Sequence, residues 1–361
     1  MHFAKIDHPS PTPDEARNAS IADPGFGTTF TDHMAYIDYG GEKEGWHSAR
    51  IAPRKDLVLH PAASVLHYGQ EIFEGMKAYA HETGGLALFR PRENARRFNA
   101  SARRMAMPEL PEDAFLDAVR RVVLTDAAWM PPMDGGSIYI RPFMFANETF
   151  LGVRPARRYQ FLVLLSAAGN YFKGGTKPIR IWVSEDYVRA AQGGTGAAKT
   201  GGNYAASLVP QAEATAMGCD QVVFLDAIEH RYVEELGGMN LFFVRRDGSV
   251  ITPPLTGTIL PGITRDSLIT LLREDGMEVR EEPYAVDRWR SEAQDGTLAE
   301  CFACGTAAVV TPIGTVASTG GEFSIGNAGT GEITQRLRER LIAIQHGRED
   351  DRHGWVEQLS E

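Results

Sequence analysis

The twelve residues from Gly193 to Tyr204, GGTGAAKTGGNY, constrain this chain more than any other stretch, because they set Lys199, one of seven lysines, inside a run of glycines. Each Gly costs roughly 1 kcal/mol relative to Ala in a helix interior, so no stable helix is expected to run across Lys199. A tight loop that holds one amine in a fixed place is expected instead.

The chain's 361 residues exceed the size at which a single core keeps growing, and two domains are expected. The net charge of −10 and a pI near 5.5 argue against a polyanion-binding surface, so no nucleic-acid partner is expected. The first twenty residues hold acids and prolines but no continuous apolar run, which reads as a flexible arm over residues 1–30 rather than a signal peptide. The longest apolar run, Phe161 to Ala168, is too short to span a bilayer, so no membrane partner is expected either. Three cysteines, Cys219, Cys301 and Cys304, cannot form a disulfide framework and fit a reducing, cytoplasmic compartment. Cys301 and Cys304 form a C-x-x-C, but no second such pair or nearby His pair completes a zinc shell, and the flanks are apolar and strand-like. They read as buried structural thiols, and no metal is expected.

Strands and helices alternate along the chain without repeats. Strands are expected at Lys77–Tyr79 and Leu86–Phe89, joined around Thr83-Gly84-Gly85, and helices over Glu93–Met105 and Asp113–Trp129. Two apolar strands, Ser137–Ala146 and Tyr159–Ser166, precede a stretch rich in linker residues near Asn170. The expected domains are 1–170 and 179–361, with 171–178 as the link. The second half continues with a strand at Ile179–Ser184 and a helix at Ala205–Met217, closed by Gly218 and either kinked or started by Pro210. A strand at Gln221–Leu225, a hairpin over Asp247-Gly248 and a helix at Thr264–Arg273 follow.

Two chemistries compete for Lys199. GGTGAAKT nearly fits the phosphate loop G-x-x-x-x-G-K-[ST], with Val222–Asp226 as an apolar strand ending in a magnesium-binding acid. Against a nucleotide hydrolase, Ala198 replaces the glycine before the lysine, and Gly201-Gly202-Asn203 is a poor first helical turn. The alternative is an imine-forming lysine, whose glycine cage permits close approach of a flat aromatic cofactor such as pyridoxal phosphate. That cofactor needs cations and N–H groups for its phosphate, a carboxylate for its ring nitrogen, and a phenol or amide for its ring oxygen.

Five segments together resemble the branched-chain-amino-acid aminotransferases, fold type IV enzymes that use pyridoxal 5'-phosphate. They are KTGGNY at 199–204, EELGGMN at 234–240, FEGMKAY at 73–79, FRPRENARR at 89–97 and ILPGITR at 259–265. The resemblance runs from about residue 30 to near the C-terminus and displaces the phosphate-loop reading. It implies a two-domain α/β (α+β) fold with a smaller N-terminal and a larger C-terminal domain, the cofactor between them, and a homodimer. It also implies reversible ping-pong transamination of Leu, Ile and Val with 2-oxoglutarate. Within the fold type, a D-amino-acid transaminase and an aminodeoxychorismate lyase are the rivals; those chains are usually shorter and lack FEGMKAY.

By the same resemblance, Lys199 would bond the cofactor and shuttle the substrate proton, Glu235 would pair with the ring nitrogen, and Tyr204 would bond the ring oxygen. Phosphate would fall to Arg97, the N–H groups of Ile263 and Thr264, and Thr306, with Arg189 on the same side. Phe73, Tyr139 and Tyr171 would wall the substrate pocket, together with Gly238, Ala307 and Ala308. Tyr68 would come across the dimer interface, and Arg141 would receive the distal carboxylate of glutamate. An Arg between strand apolars in IYIRPF is unexpected for a core strand, which favours function at Arg141. Where mammalian relatives carry a pocket threonine this chain has Gly238. Their C-x-x-C redox switch would fall at Ala308 and Thr311, so that regulation is not expected.

Overall fold

The computed structural model describes residues 1–133, 135–169 and 177–360. They divide into two compact units, one of residues 1–169, 198–201 and 343–360, the other of 177–197 and 202–342. The division by compactness thus groups Lys199 and the C-terminal segment with the first unit, whereas the sequence placed both in the second domain.

The first unit is built on a nine-stranded sheet, ordered Ala4–Lys5, Trp46–Pro53, Thr29–Tyr39, Tyr159–Ala168, Ser137–Ala146, Met76–Ala80, Leu86–Phe89 and Val356–Gln358, with Glu71–Phe73 also on Ser137–Ala146. Helices Pro91–Arg104 and Glu112–Thr125 bring Phe98 and Phe115 against Phe161 of the sheet, the three rings lying 5.4 to 5.7 Å apart. On Ser137–Ala146 the even-numbered residues are buried while Tyr139, Arg141 and Phe143 line a more open face, as the two-residue strand period requires. Phe73 lies opposite Phe143 and Met76 opposite Ile140, so the register puts Glu74 opposite Pro142. Pro142 has no N–H to donate, and the strand breaks there between Phe73 and Met76.

The flexible arm expected over residues 1–30 is corrected by the fold. Ala4–Lys5 pairs in parallel with Arg50–Ile51, Asp14–Ala22 is a helix, and Phe3 and Ile21 are buried. Single apolar anchors and the bond from Thr12 Oγ1 to Asp32 (2.6 Å) do what a continuous apolar run would otherwise do.

The second unit holds another nine-stranded sheet, ordered Val233–Leu236, Gln221–Leu225, Ile179–Ser184, Val309–Ser318, Leu298–Gly305, Asn240–Arg245, Val250–Thr252 and Val279–Glu281, with Gly321–Ser324 on Val309–Ser318. Its core stacks Phe243 on Tyr284 at 4.1 Å and sets Phe243 edge-on to Trp289. The single helix expected over Ala205–Met217 is two, Gly201–Ala205 and Leu208–Ala216. Pro210 stands in the first turn of the second, where a missing N–H costs nothing.

Candidate active site

Lys199 is held by its backbone from two sides of the first unit. Its N–H donates to Ser101 Oγ (2.9 Å) on the helix Pro91–Arg104, and its carbonyl accepts the N–H of Phe73 (3.0 Å). Thr200 Oγ1 donates to the carbonyl of Glu71 (2.8 Å), and the N–H of Gly201 donates to the Glu71 carboxylate. Burial raises the Glu71 carboxyl above its ordinary value, only partly offset by these bonds. The lysine amine lies 4.8 Å from the centre of the Phe73 ring.

On the open face beside it, Arg141 donates to Tyr139 Oη (3.0 Å) and lies 4.8 Å from the Phe73 ring centre. Its Nε is buried with no hydrogen-bond partner among the described residues, a donor suited to an incoming anion. Arg97 grips Glu74 with two bonds, Nε to Oε1 and Nη2 to Oε2, both 2.8 Å. Glu74 is wholly buried; burial pushes its carboxyl up, but Arg97, its bonds and the nearby Lys199 charge outweigh this and hold it low. Tyr68 is exposed and donates to the carbonyl of Leu151 (2.5 Å). The first unit therefore brings together Lys199, Phe73, Tyr139, Arg141 and Arg97. Tyr171 lies outside the described residues.

In the second unit Glu235, 2 % exposed, accepts from Arg189 Nη1 (2.8 Å) and from the N–H of Leu260 (2.9 Å). Arg189 Nη1 also donates to the carbonyl of Thr258 (2.9 Å), while its buried Nε has no hydrogen-bond partner among the described residues. Asn240 donates to Leu260 O (3.1 Å) and reaches Glu235 at 3.4 Å, which links that carboxylate to the start of the helix Ile263–Glu274. A Cβ on Gly262 would fall 2.0 Å from Asn240 Oδ1, so only glycine lets the helix begin here, and Gly262 offers no side chain to cap the N–H groups of Ile263 and Thr264. Gly238 faces the Tyr204 ring and its carbonyl lies against Gly305, which opens the turn carrying Thr306, Ala307 and Ala308. Asn240, Ser101 and Glu71 were not singled out as site residues. Asn240 closes the motif EELGGMN, whereas nothing local in the sequence marks the other two.

Gly201-Gly202-Asn203, read as a poor first helical turn, does open the short helix Gly201–Ala205, but the competing phosphate-loop reading loses its magnesium-binding acid. Asp226 accepts N–H groups from Ile228, Glu229, Arg231 and Tyr232 at 2.7 to 3.1 Å, closing a turn, and burial is outweighed by these bonds so that its carboxyl is lowered to about 2. Cys301 and Cys304 are three residues apart on a strand and so face opposite sides of the sheet; both are buried free thiols, pushed up by burial.

Residues 71–316 match the amino-transferase class IV family model. The chain is 52% identical to the branched-chain-amino-acid aminotransferase of Mycolicibacterium smegmatis, covering 100% of this chain and 99% of that one. This chain belongs to the branched-chain-amino-acid aminotransferase family. It is also 45% identical to branched-chain-amino-acid aminotransferase 2 of Bacillus subtilis over 93% of this chain and 92% of that one. The crystal structure of the Escherichia coli branched-chain amino acid aminotransferase superposes with a TM-score of 0.75 at 32% identity, covering 91% of this chain and 99% of that chain. The branched-chain amino acid aminotransferase of Thermobaculum terrenum, solved in its PLP-form, gives 0.72 at 25% identity, covering 91% and 99%. The family carries the fold type IV, two-domain architecture expected from the sequence.

Proposed function

We propose that the chain transaminates branched-chain L-amino acids with 2-oxoglutarate, using pyridoxal 5'-phosphate, to give the branched-chain 2-oxo acids and L-glutamate. Full-length identity of 52% to a family member supports the activity, and one observation carries the cofactor reading: a glycine-set lysine whose backbone is clamped by Ser101 and Phe73. The residues fit the cofactor's needs. Lys199 would meet it as a fixed amine, Glu235, a buried carboxylate paired with Arg189, would serve its ring nitrogen, and Arg97 and the N–H groups that open Ile263–Glu274 would each be suited to its phosphate. Bound there, pyridoxal phosphate supplies the electron sink that makes the substrate's α-proton removable.

The chain's own residues do the rest. Lys199 accepts the α-proton at Nζ and returns it, and its clamped backbone keeps that amine in reach. Glu235 would hold the proton of the ring nitrogen, and Tyr204 would donate to the ring oxygen. Phe73 and Tyr139 select apolar side chains by shape and area. Arg141 takes the distal carboxylate of glutamate in the same site, as an exchange of one nitrogen between two substrates requires.

The chain acts as a homodimer in the cytoplasm. Leu57, Val58, Leu66, Leu151 and Val153 are exposed, Tyr68 bonds the carbonyl of Leu151, and the N–H of Phe150 bonds the carbonyl of Ala62, so the segments carrying Leu66 and Leu151 are neighbours whose apolar groups a partner would cover. No helix among the described residues is long and apolar enough to cross a membrane. An amino-donor panel with 2-oxoglutarate tests the activity: Leu, Ile and Val should each yield glutamate, and turnover of D-amino acids alone would refute it.

A further inference from the structure

Two motif residues, Glu74 of FEGMKAY and Asn94 of FRPRENARR, have no part in the function as stated, yet they meet. Asn94 and Arg97 stand one turn apart on the helix Pro91–Arg104 and both donate to Glu74, Asn94 Nδ2 to Oε2 at 2.8 Å. The N–H of Gly75 adds a bond to Oε2 at 3.1 Å, and the N–H of Glu74 donates to Pro142 O at 2.7 Å. Glu74 is 0% exposed and the Arg97 side chain 9%. Because Pro142 has no N–H to return, the backbone of Glu74 keeps only this one bond of the pair, to Pro142 O.

We propose that Glu74, braced by Asn94, is a positioning residue for the cofactor's phosphate, acting through Arg97. The proposal rests on the pyridoxal-phosphate reading. A guanidinium gripped at Nε and Nη2 by one carboxylate cannot swing about its last side-chain bonds, so its plane is fixed before phosphate arrives and less entropy is lost on binding. A buried arginine also needs a counter-charge when the phosphate is away, or it turns toward water. Residues that orient the ligands of a metal typically carry about tenfold to hundredfold in its affinity, and an effect of that order is expected of Glu74.

The test compares two cofactor forms on the full-length apoenzyme, pyridoxal phosphate and phosphate-free pyridoxal, by absorbance titration of wild type, Glu74→Gln, Asn94→Ala and Arg97→Met. Glu74→Gln should weaken pyridoxal phosphate about tenfold to hundredfold while pyridoxal binding barely changes. Asn94→Ala should weaken it less, in the same direction, and Glu74→Gln should add little in the Arg97→Met background. Equal weakening of both forms would mean a merely structural role and would overturn the proposal. So would unchanged or tighter phosphate-form binding, which would make Glu74 a competitor for Arg97. Should Glu74→Gln fail to fold, Asn94→Ala carries the same comparison. A wild type that binds neither form overturns the cofactor reading itself, an outcome seen before any variant is compared.

Discussion

Replacing Arg189 by Leu removes the ion-pair partner it gives to the buried Glu235 carboxylate. The pair is 2.8 Å apart, with side chains 1% and 2% exposed. At an effective dielectric constant of about 20 and a charge separation of about 4 Å, the attraction is worth about 4 kcal/mol. Breaking a buried pair by removing one partner costs about 3–5 kcal/mol, in the same range. Urea unfolding of the full-length apoprotein at pH 8 should show that loss, which at a slope near 3 kcal/mol per molar moves the midpoint down by about 1 M or more. Arg189→Lys, which keeps the charge, should recover part of the loss. A deficit below about 1 kcal/mol for Arg189→Leu would refute the reasoning.

Two further outcomes are expected. Asp226 falls from 3.8 to about 2 in the folded chain, about 2 kcal/mol of stability that solvent screening reduces to roughly 1–2. A lowered carboxyl stabilises above its unfolded value and loses that contribution as pH falls from 3.8 through about 2, so the gap in unfolding free energy between wild type and Asp226→Asn should shrink by about half between pH 7 and pH 3; a gap that stays constant counts against the turn-closing role. Because burial raises all three thiols, an aromatic disulfide reagent should leave Cys301 and Cys304 unreacted in the native protein and label them in urea, and fast native labelling of either would contradict their burial.

What the sequence carried was the chemistry more than the architecture. Lys199 stood out because glycines excluded a helix, and Arg141 because charge is out of place in an apolar strand. The strand Thr29–Tyr39 went unread because it mixes polar and apolar residues on both faces and needs its neighbours Trp46–Pro53 and Tyr159–Ala168 to define its buried side. Ser101 and Glu71 were invisible for a related reason: their partners are the backbone of residues 199–201, about a hundred or more positions away. Arg189 was legible as important but not in its job, since only the fold shows that its guanidinium meets Glu235. Glu74 and Asn94 were present in the motifs, and only their juxtaposition with Arg97 gives them a task.

Hydride reduction of the holoenzyme followed by peptide mapping tests the central claim most directly. Reduction should fix the cofactor's pyridoxyl group to the peptide that carries Lys199 and to no other, and Lys199→Ala should lose both the label and the visible absorption band. A label on another lysine, or a coloured and active Lys199→Ala protein, would contradict the account.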